Sequence, residues 1–495
     1  MEITKEFEGA DLGDARLSRR LVMLGEALAR NPGASFPVAM ETEAALEGAY
    51  RFLNNARVQP DGILAPHISQ TVTRCHEAGR VLVAHDTTEF GFSTQRQGLG
   101  RITDGEEGRG FFQHTALAIA ADGSRLPLGV VGALRHIRTG KPTRKRSRHS
   151  ERKPEPKRES FRWWELFEAA DEQLDGCDAV HVCDREADNY LLMARARARD
   201  MRFIIRAKHD RHVSAPEQPT LRRVTRRLTA ALNRQVTVAP RKPTLSWLGN
   251  KKKERTANLE IVAAPVSIRR PTTLPSTRKK LPETLALNVV HVREVEPPLG
   301  CEPVDWLLLT TEPIETGEQV ESIVDGYDTR WVIEEYFKAL KTGCAAEQRQ
   351  LESAEAIYNA VAVFTPIACN LLRLKHHTRV TPDAAADTVL STQELQILER
   401  HPNLKLSATP TVEQAWLAIA RLGGHLKRNG PPGWQVIWRG YLQLRALVQG
   451  AEIAAGLRCD QSARLSQRPP GRLGSREIDP RSRDAARTPR SCETR

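Results

Sequence analysis

Three carboxylates in this chain sit where they could do chemistry. Asp86 closes the apolar run Val81-Leu82-Val83-Ala84-His85 and is followed by Thr87-Thr88. Asp184 closes a second run, Ala179 to Cys183, and is followed by Arg185-Glu186-Ala187-Asp188. A carboxylate at the end of a buried strand is poorly solvated and wants a cation nearby. Two such strand ends side by side would repel, and a divalent metal is the usual relief. Taken singly, a strand-end aspartate is more often simply the cap of the turn or helix that follows it. The third carboxylate, Glu334, falls in the series Tyr327, Arg330, Glu334, Lys341, at offsets of 0, 3, 7 and 14. At about 100° per residue these four fall within roughly 60° of one another on a helix. A phenol, a guanidinium, a carboxylate and an ammonium thus line one stripe, with Lys338 close to it. A solvated helix laced with ion pairs would show the same pattern, but Trp331, Ile333, Phe337 and Leu340 indicate that this helix packs into something. Two strand-end aspartates and a later helical glutamate are what a two-metal phosphoryl-transfer site needs, with ions about 3.5–4 Å apart. The flanking cations would grip the phosphates beside the scissile one.

The elements that must position these groups can be read along the chain. Leu17, Leu21, Leu24 and Leu28 make one face of a helix started near Asp14 and stopped by Asn31-Pro32-Gly33. Arg16, Arg19, Arg20 and Arg30 lie mostly off that face, and a second helix covers Glu43 to Asn54. From Val81 the pattern changes to strands: Val81–Ala84, Phe111–Ala120, and Leu126–Leu134 after the turn Ala121-Asp122-Gly123. A basic, proline-containing loop spans Arg138 to Glu159. A helix over Phe161–Leu174, a strand over Ala179–Cys183, a helix over Tyr190–Arg199 and a strand over Arg202–Arg206 follow. The alternation predicts a mixed α/β sheet. Residues 211–300 read as a β-rich insertion with basic loops, and Trp306–Thr310 as a returning strand. Glu318–Lys341, Ser353–His376 and Thr411–Ala455 are predicted helical. After Leu457 the sequence has almost no apolar content and predicts a disordered tail.

The residues His85-Asp86-Thr87-Thr88, Val182-Cys183-Asp184-Arg185-Glu186-Ala187-Asp188 and Tyr327-x2-Arg330-x3-Glu334-x6-Lys341 together resemble the bacterial DDE transposases of the insertion-sequence-four family, closest to the transposon-five type. Glu47-Gly48-Ala49-Tyr50-Arg51-Phe52 and Ala418-Ile419-Ala420-Arg421-Leu422-Gly423-Gly424 extend the resemblance over nearly the whole chain, except the tail after about Leu457. It implies an α/β, RNase H-like mixed sheet with a β-strand insertion, between an N-terminal helical DNA-binding domain (1–77) and a C-terminal helical dimerisation region (377–457). The core would span 78–376 and the tail 458–495. It implies that Asp86, Asp184 and Glu334 are catalytic and hold two Mg2+ ions, for which Mn2+ can substitute. Tyr327, Arg330, Lys341, Arg206 and Trp331 would contact DNA, and Trp306 would stack a base displaced during hairpin formation. The implied partners are double-stranded DNA, as inverted-repeat transposon ends and as target, and a second copy of the chain in a homodimeric synaptic complex. His85 is expected to stand directly behind the first aspartate.

Composition agrees with a polyanionic partner. The 495 residues carry 74 Lys+Arg against 61 Asp+Glu, a net charge of +13, which favours nucleic acid. With 40% hydrophobic and 27% charged residues, wholesale disorder is excluded. The eight cysteines are scattered, with no CxxC pair, which predicts a reducing cytosol; the resemblance implies a bacterial cytoplasmic protein, nucleoid-associated when bound to DNA. No apolar run is expected to approach the ~18–20 residues of a membrane span. The main expectation is a cut-and-paste transposase that nicks, forms hairpins and joins ends. A non-catalytic end-binding or inhibitory relative, and another RNase H-like nuclease such as a resolvase, are the competing expectations.

Overall fold

The structure is a computed structural model that describes residues 3–92, 96–102, 108–138, 159–217, 219–238, 254–272, 281–298, 301–430 and 432–466. Most of the basic loop between Arg138 and Glu159, and the chain after Ser466, lie outside these residues. The chain divides into two compact units, residues 1–445 and 446–495.

The chain opens with four helices: α1 (Ala15–Arg30), α2 (Phe36–Met40), α3 (Glu43–Leu53) and α4 (Pro60–Ala78). Asp14 caps α1 by accepting from the Arg16 amide at 2.8 Å, which satisfies one of the free N–H groups of the first turn. Leu21, Leu24 and Leu28 are buried as their spacing predicts, in one core with Phe52, Leu53, Ile63 and Leu64. Arg16, Arg19 and Arg30 are exposed on the other side.

One mixed sheet follows. Its strands are β1 (Arg80–Phe92), β2 (Gly100–Arg101), β3 (Arg109–Ala120), β4 (Pro127–His136), β5 (Asp178–Cys183), β6 (Arg202–Arg206), β7 (Leu232–Val238), β8 (Arg255–Arg269), β9 (Thr284–Val295) and β10 (Asp305–Thr310). Their order is β2-β3-β1-β5-β6-β10-β9-β8-β7, with β4 also paired to β3. β1, β5 and β6 are mutually parallel, whereas β3 runs antiparallel to β1, and β10 antiparallel to β6. Helices α5 (Phe161–Gln173) and α6 (Tyr190–Ala198) form the parallel crossovers, and the short α7 (Leu221–Thr225) precedes the β7–β9 hairpins. Side chains alternate across the sheet: Phe203 and Ile205 join Phe167 and Met193 in one core, while Ile204, Val180 and Val182 face Val320, Ile323 and Val324 in another. Those last three belong to α8 (Gly317–Thr329), started by a capping box of Thr316 and Gln319. With helices on both faces, the central strands read as near-continuous apolar runs.

The remaining helices are α9 (Val332–Lys338), α10 (Ala354–Val380), α11 (Thr392–Arg400), α12 (Val412–Leu422) and α13 (Trp434–Ser466). Gly423 and Gly440 let α12 and α13 cross closely: a Cβ at Gly423 would collide with the Val436 carbonyl oxygen, and one at Gly440 with that of Ile419.

Several expectations are corrected. The strand containing Asp86 does not end there but runs to Phe92, because β3 continues to pair with it after β5 has turned away. The helix expected over Glu318–Lys341 breaks at Arg330-Trp331, between α8 and α9, and ends in a π turn over Ala339–Gly343. α13 extends to Ser466, beyond the expected start of the tail. Ala354–Arg373 is long and apolar enough to cross a membrane by length and composition, with a mean hydropathy of 1.3, but 78% of that window is buried inside the fold. Within the C-terminal block, Val412, Ala415, Ile419, Ile437, Trp438 and Leu444 are buried by this chain itself. The Trp434 side chain lies outside the described ones.

Candidate active site

Parallel pairing places the first two carboxylates. His85 is opposite Cys183 in the β1–β5 register, so Asp86 and Asp184 are the next residues on neighbouring strands, which lie about 4.8 Å apart. Asp86 continues in β1 and accepts the Thr87 amide on Oδ1 at 2.7 Å. Asp184 leaves β5 and caps a 3-10 turn, accepting the Glu186 amide on Oδ1 at 2.8 Å. The capping role expected of a lone strand-end aspartate is therefore present alongside the convergence.

The break after α8 supplies the third group. Arg330, buried at 8% side-chain exposure, donates through Nη1 to Asp86 Oδ2 at 3.0 Å and through Nη2 to Glu334 Oε1 at 3.2 Å. Burial pushes the Asp86 carboxyl up to about 6, and the negative charges of Asp184 and Glu334 add to this against the pull of Arg330. Burial likewise raises Glu334, opposed by Arg330 and Lys338 and helped by Asp184. Desolvation works against the charge on Arg330, yet Asp86, Tyr327, Glu334 and Asp184 outweigh it and hold its pKa above the ordinary value. Three carboxylates from distant parts of the sequence thus share one electrostatic site. Among the described residues no three His, Cys, Asp or Glu side chains form a closed metal cage; the Arg330 guanidinium bridges two of the carboxylates instead.

Behind the aspartates lies a layer of buried histidines. His85 Nε2 is 2.9 Å from His181 Nδ1, and His181 Nε2 is 3.2 Å from Asp171. His114 Nδ1 is 3.0 Å from the Thr87 hydroxyl. Burial lowers the pKa of all three, that of His114 to about 3, so they are neutral packing and hydrogen-bonding groups. His85, next to Asp86 in β1, turns its ring to His181 on the other face of the sheet. Its neighbours His181 and His114 were missed: His181 lies between Val180 and Val182 in β5, whereas His114 lies between Gln113 and Thr115 in β3.

The other expected contacts fall in three places. Lys341, re-aimed by the π turn, donates to the Glu89 carbonyl and pairs with Glu347 at 3.3 Å. Tyr327 is buried, its ring 5.2 Å from that of Trp306 in an edge-on contact. The stripe therefore splits: Arg330 and Glu334 touch, Lys341 reaches further along β1, and the Tyr327 ring packs among apolar side chains. Arg206 donates to the Asp305 carbonyl at 2.9 Å. Trp331 is 45% exposed, with the Arg330 guanidinium 5.5 Å from its ring centre.

Two stretches of the chain match known families. Residues 3–58 match the family described as transposase DNA-binding, and residues 158–364, which contain Asp184, Arg330 and Glu334, match the transposase DDE domain. A solved structure of the piggyBac transposase synaptic complex with hairpin DNA aligns over 77% of this chain and 73% of its own, at 9% identity and a TM-score of 0.31. A DNA-binding domain joined to a DNA-cleaving domain defines a DNA-processing enzyme. The chain is a DDE transposase.

Proposed function

We propose that this transposase works by cut-and-paste, as an insertion-sequence-four enzyme of the transposon-five type. In this reading it binds the inverted-repeat ends of its element, nicks them, passes through hairpins and joins the freed 3′ ends to target DNA. Asp86, Asp184 and Glu334 are its catalytic carboxylates. The observation that carries the reading is their convergence: parallel strand register sets Asp86 beside Asp184, and Arg330 ties Asp86 to Glu334.

The donor set fits a divalent cation. All three are hard oxygen ligands, and burial together with mutual repulsion already raises the proton affinity of Asp86 and Glu334. Asp86, Asp184 and Glu334 would hold Mg2+, or Mn2+ in its place. When bound, two such ions would activate the attacking oxygen and stabilise the leaving one. The protein's own groups orient and grip. Arg330 balances the carboxylates and offers its buried charge to a phosphate, and Lys341, held over β1, adds a second cation. Arg206 and the exposed Trp331 would contact DNA, and Trp306, at the head of β10, would receive a displaced base. The exposed Arg16, Arg19 and Arg30 suit sequence-independent grip on end DNA.

The strand order around β4, β3, β1, β5 and β6, in which β3 runs opposite to the other four, supports an RNase H-like core over 78–376, interrupted by the β-rich insertion. Residues 1–77 would bind DNA, and 377–457 would mediate homodimerisation in the synaptic complex, within a bacterial cytoplasm. The test is incubation of the purified chain with its flanking inverted repeats and Mg2+. Nicked, hairpin and joined products on a denaturing gel are expected. Intact DNA that is nonetheless bound would mark a non-catalytic end-binding protein.

A further inference from the structure

Arg162, on the first turn of α5, makes no hydrogen bond to a carboxylate of the proposed triad, yet it touches Thr87, next to Asp86, and Glu186, two residues after Asp184. Its side chain is 13% exposed and donates to three groups. Nη1 donates to the Glu159 carbonyl at 2.7 Å, Nη2 to the Glu186 carboxylate at 3.0 Å, and Nε makes a longer bond, 3.4 Å, to the Thr87 hydroxyl. Thr87 and Glu186 are the two residues whose backbone amides hold Oδ1 of Asp86 and Oδ1 of Asp184. A single guanidinium thereby fixes both amide clamps from behind.

The hydrogen-bond directions agree. A guanidinium only donates, so the Thr87 hydroxyl accepts from Arg162, and it also lies 3.0 Å from His114 Nδ1. Thr87 is then held at its side chain from two directions while its amide grips Asp86. The Glu186 side chain stands more than half in solvent, and its pair with Arg162 anchors it over Asp184.

We propose that Arg162 is a positioning residue for the metal-binding carboxylates: it sets the spacing and orientation of Asp86 and Asp184 through Thr87 and Glu186. The inference rests on the assignment of those two aspartates to catalysis. It makes a prediction of opposite sign to a simple charge effect. Removing a nearby positive charge should tighten cation binding by reducing repulsion. Losing the partner that orients two ligands should weaken it, by about ten- to a hundredfold for groups of this kind.

The experiment uses the full-length chain. Mn2+ binding is measured by calorimetry without DNA, and single-turnover cleavage of end DNA is followed across a range of Mg2+ concentrations. Arg162→Gln should bind Mn2+ about ten- to a hundredfold more weakly and need correspondingly more Mg2+, with end-DNA affinity and melting temperature close to the parent. Arg162→Lys, whose single ammonium cannot span both partners, should fall between. Thr87→Val removes one of the two links without touching the arginine and should reproduce part of the loss, which carries the test should Arg162→Gln fail to fold. Unchanged or tighter Mn2+ binding in Arg162→Gln and Thr87→Val would overturn the proposal. Asp184→Asn serves as control: if it also cleaves normally, the catalytic assignment fails; if it is inactive while the Arg162 variants are normal, only the positioning role fails.

Discussion

Replacing Asp86 with asparagine should make the folded chain more stable while removing its cleavage activity. Asp86 is 21% exposed at its side chain. Burial, with Asp184 and Glu334 close by, lifts its pKa from the ordinary 3.8 to about 6 despite Arg330. A carboxyl that binds its proton more tightly in the folded state than in the unfolded state penalises folding once both states are ionised. The penalty is absent below the unfolded value near 3.8, grows as pH rises between 3.8 and about 6, and is complete above that. At about 1.4 kcal/mol per pH unit, the step is worth about 3 kcal/mol. Asparagine has the shape of the protonated carboxyl and escapes the penalty, and Arg330 keeps Glu334 as its ion-pair partner. Melts in metal-free buffer at pH 8 should therefore show Asp86→Asn more stable by about 1–3 kcal/mol, an increase of a few degrees. Near pH 4 most of that gap should close. Saturating Mg2+ should close it from the other side by stabilising the parent alone. An Asp86→Asn protein no more stable than its parent at pH 8 without metal would refute the charge crowding on which the site depends.

Other perturbations separate grip from fold. Arg330→Ala and Lys341→Ala should weaken the end complex and flatten the salt dependence of binding, by roughly 0.9 in log–log slope for each phosphate left unneutralised; unchanged slopes in gel-shift titrations would return both cations to purely internal pairing. Arg349, 4% exposed, donates to the carbonyls of Pro32, Ala34 and Cys344 and so ties the turn after α1 to the end of the π turn. Arg349→Met keeps the bulk but strands three buried acceptors, and should cost about 3 kcal/mol in denaturant unfolding. A loss under about 0.5 kcal/mol would mean those carbonyls find other partners.

The parts of the structure with strong local patterns were legible in the sequence. Leu21, Leu24 and Leu28 announced α1 and its cap, and the apolar runs before Asp86 and Asp184 announced β1 and β5. What failed depended on partners distant in sequence. Nothing local to Asp86 says that β3 will hold the strand straight to Phe92. The stripe from Tyr327 to Lys341 assumed one regular helix; the break at Arg330-Trp331 and the π turn rotate its two ends away, so Tyr327 packs on Trp306 while Lys341 reaches Glu89. Arg330 and Glu334, only four residues apart and on the near side of the π turn, were correctly placed together. Arg162 carried no sequence signal, because its importance lies in joining Thr87 to Glu186, which are 99 positions apart in the chain. Residues 3–58 and 158–364 match known families while Asp86 lies between them, so its place in the site rests on the β1–β5 register and its bond to Arg330.

The most direct test of the proposed site is single-turnover cleavage of end DNA by Asp86→Asn, Asp184→Asn and Glu334→Gln, each measured beside its end-DNA affinity. All three should bind the end within a few-fold of the parent and leave the strand uncut, because the carboxylates serve the metals while affinity comes from phosphate contacts elsewhere. Near-normal cleavage by any one of them would contradict the placement of that residue at the centre of the site.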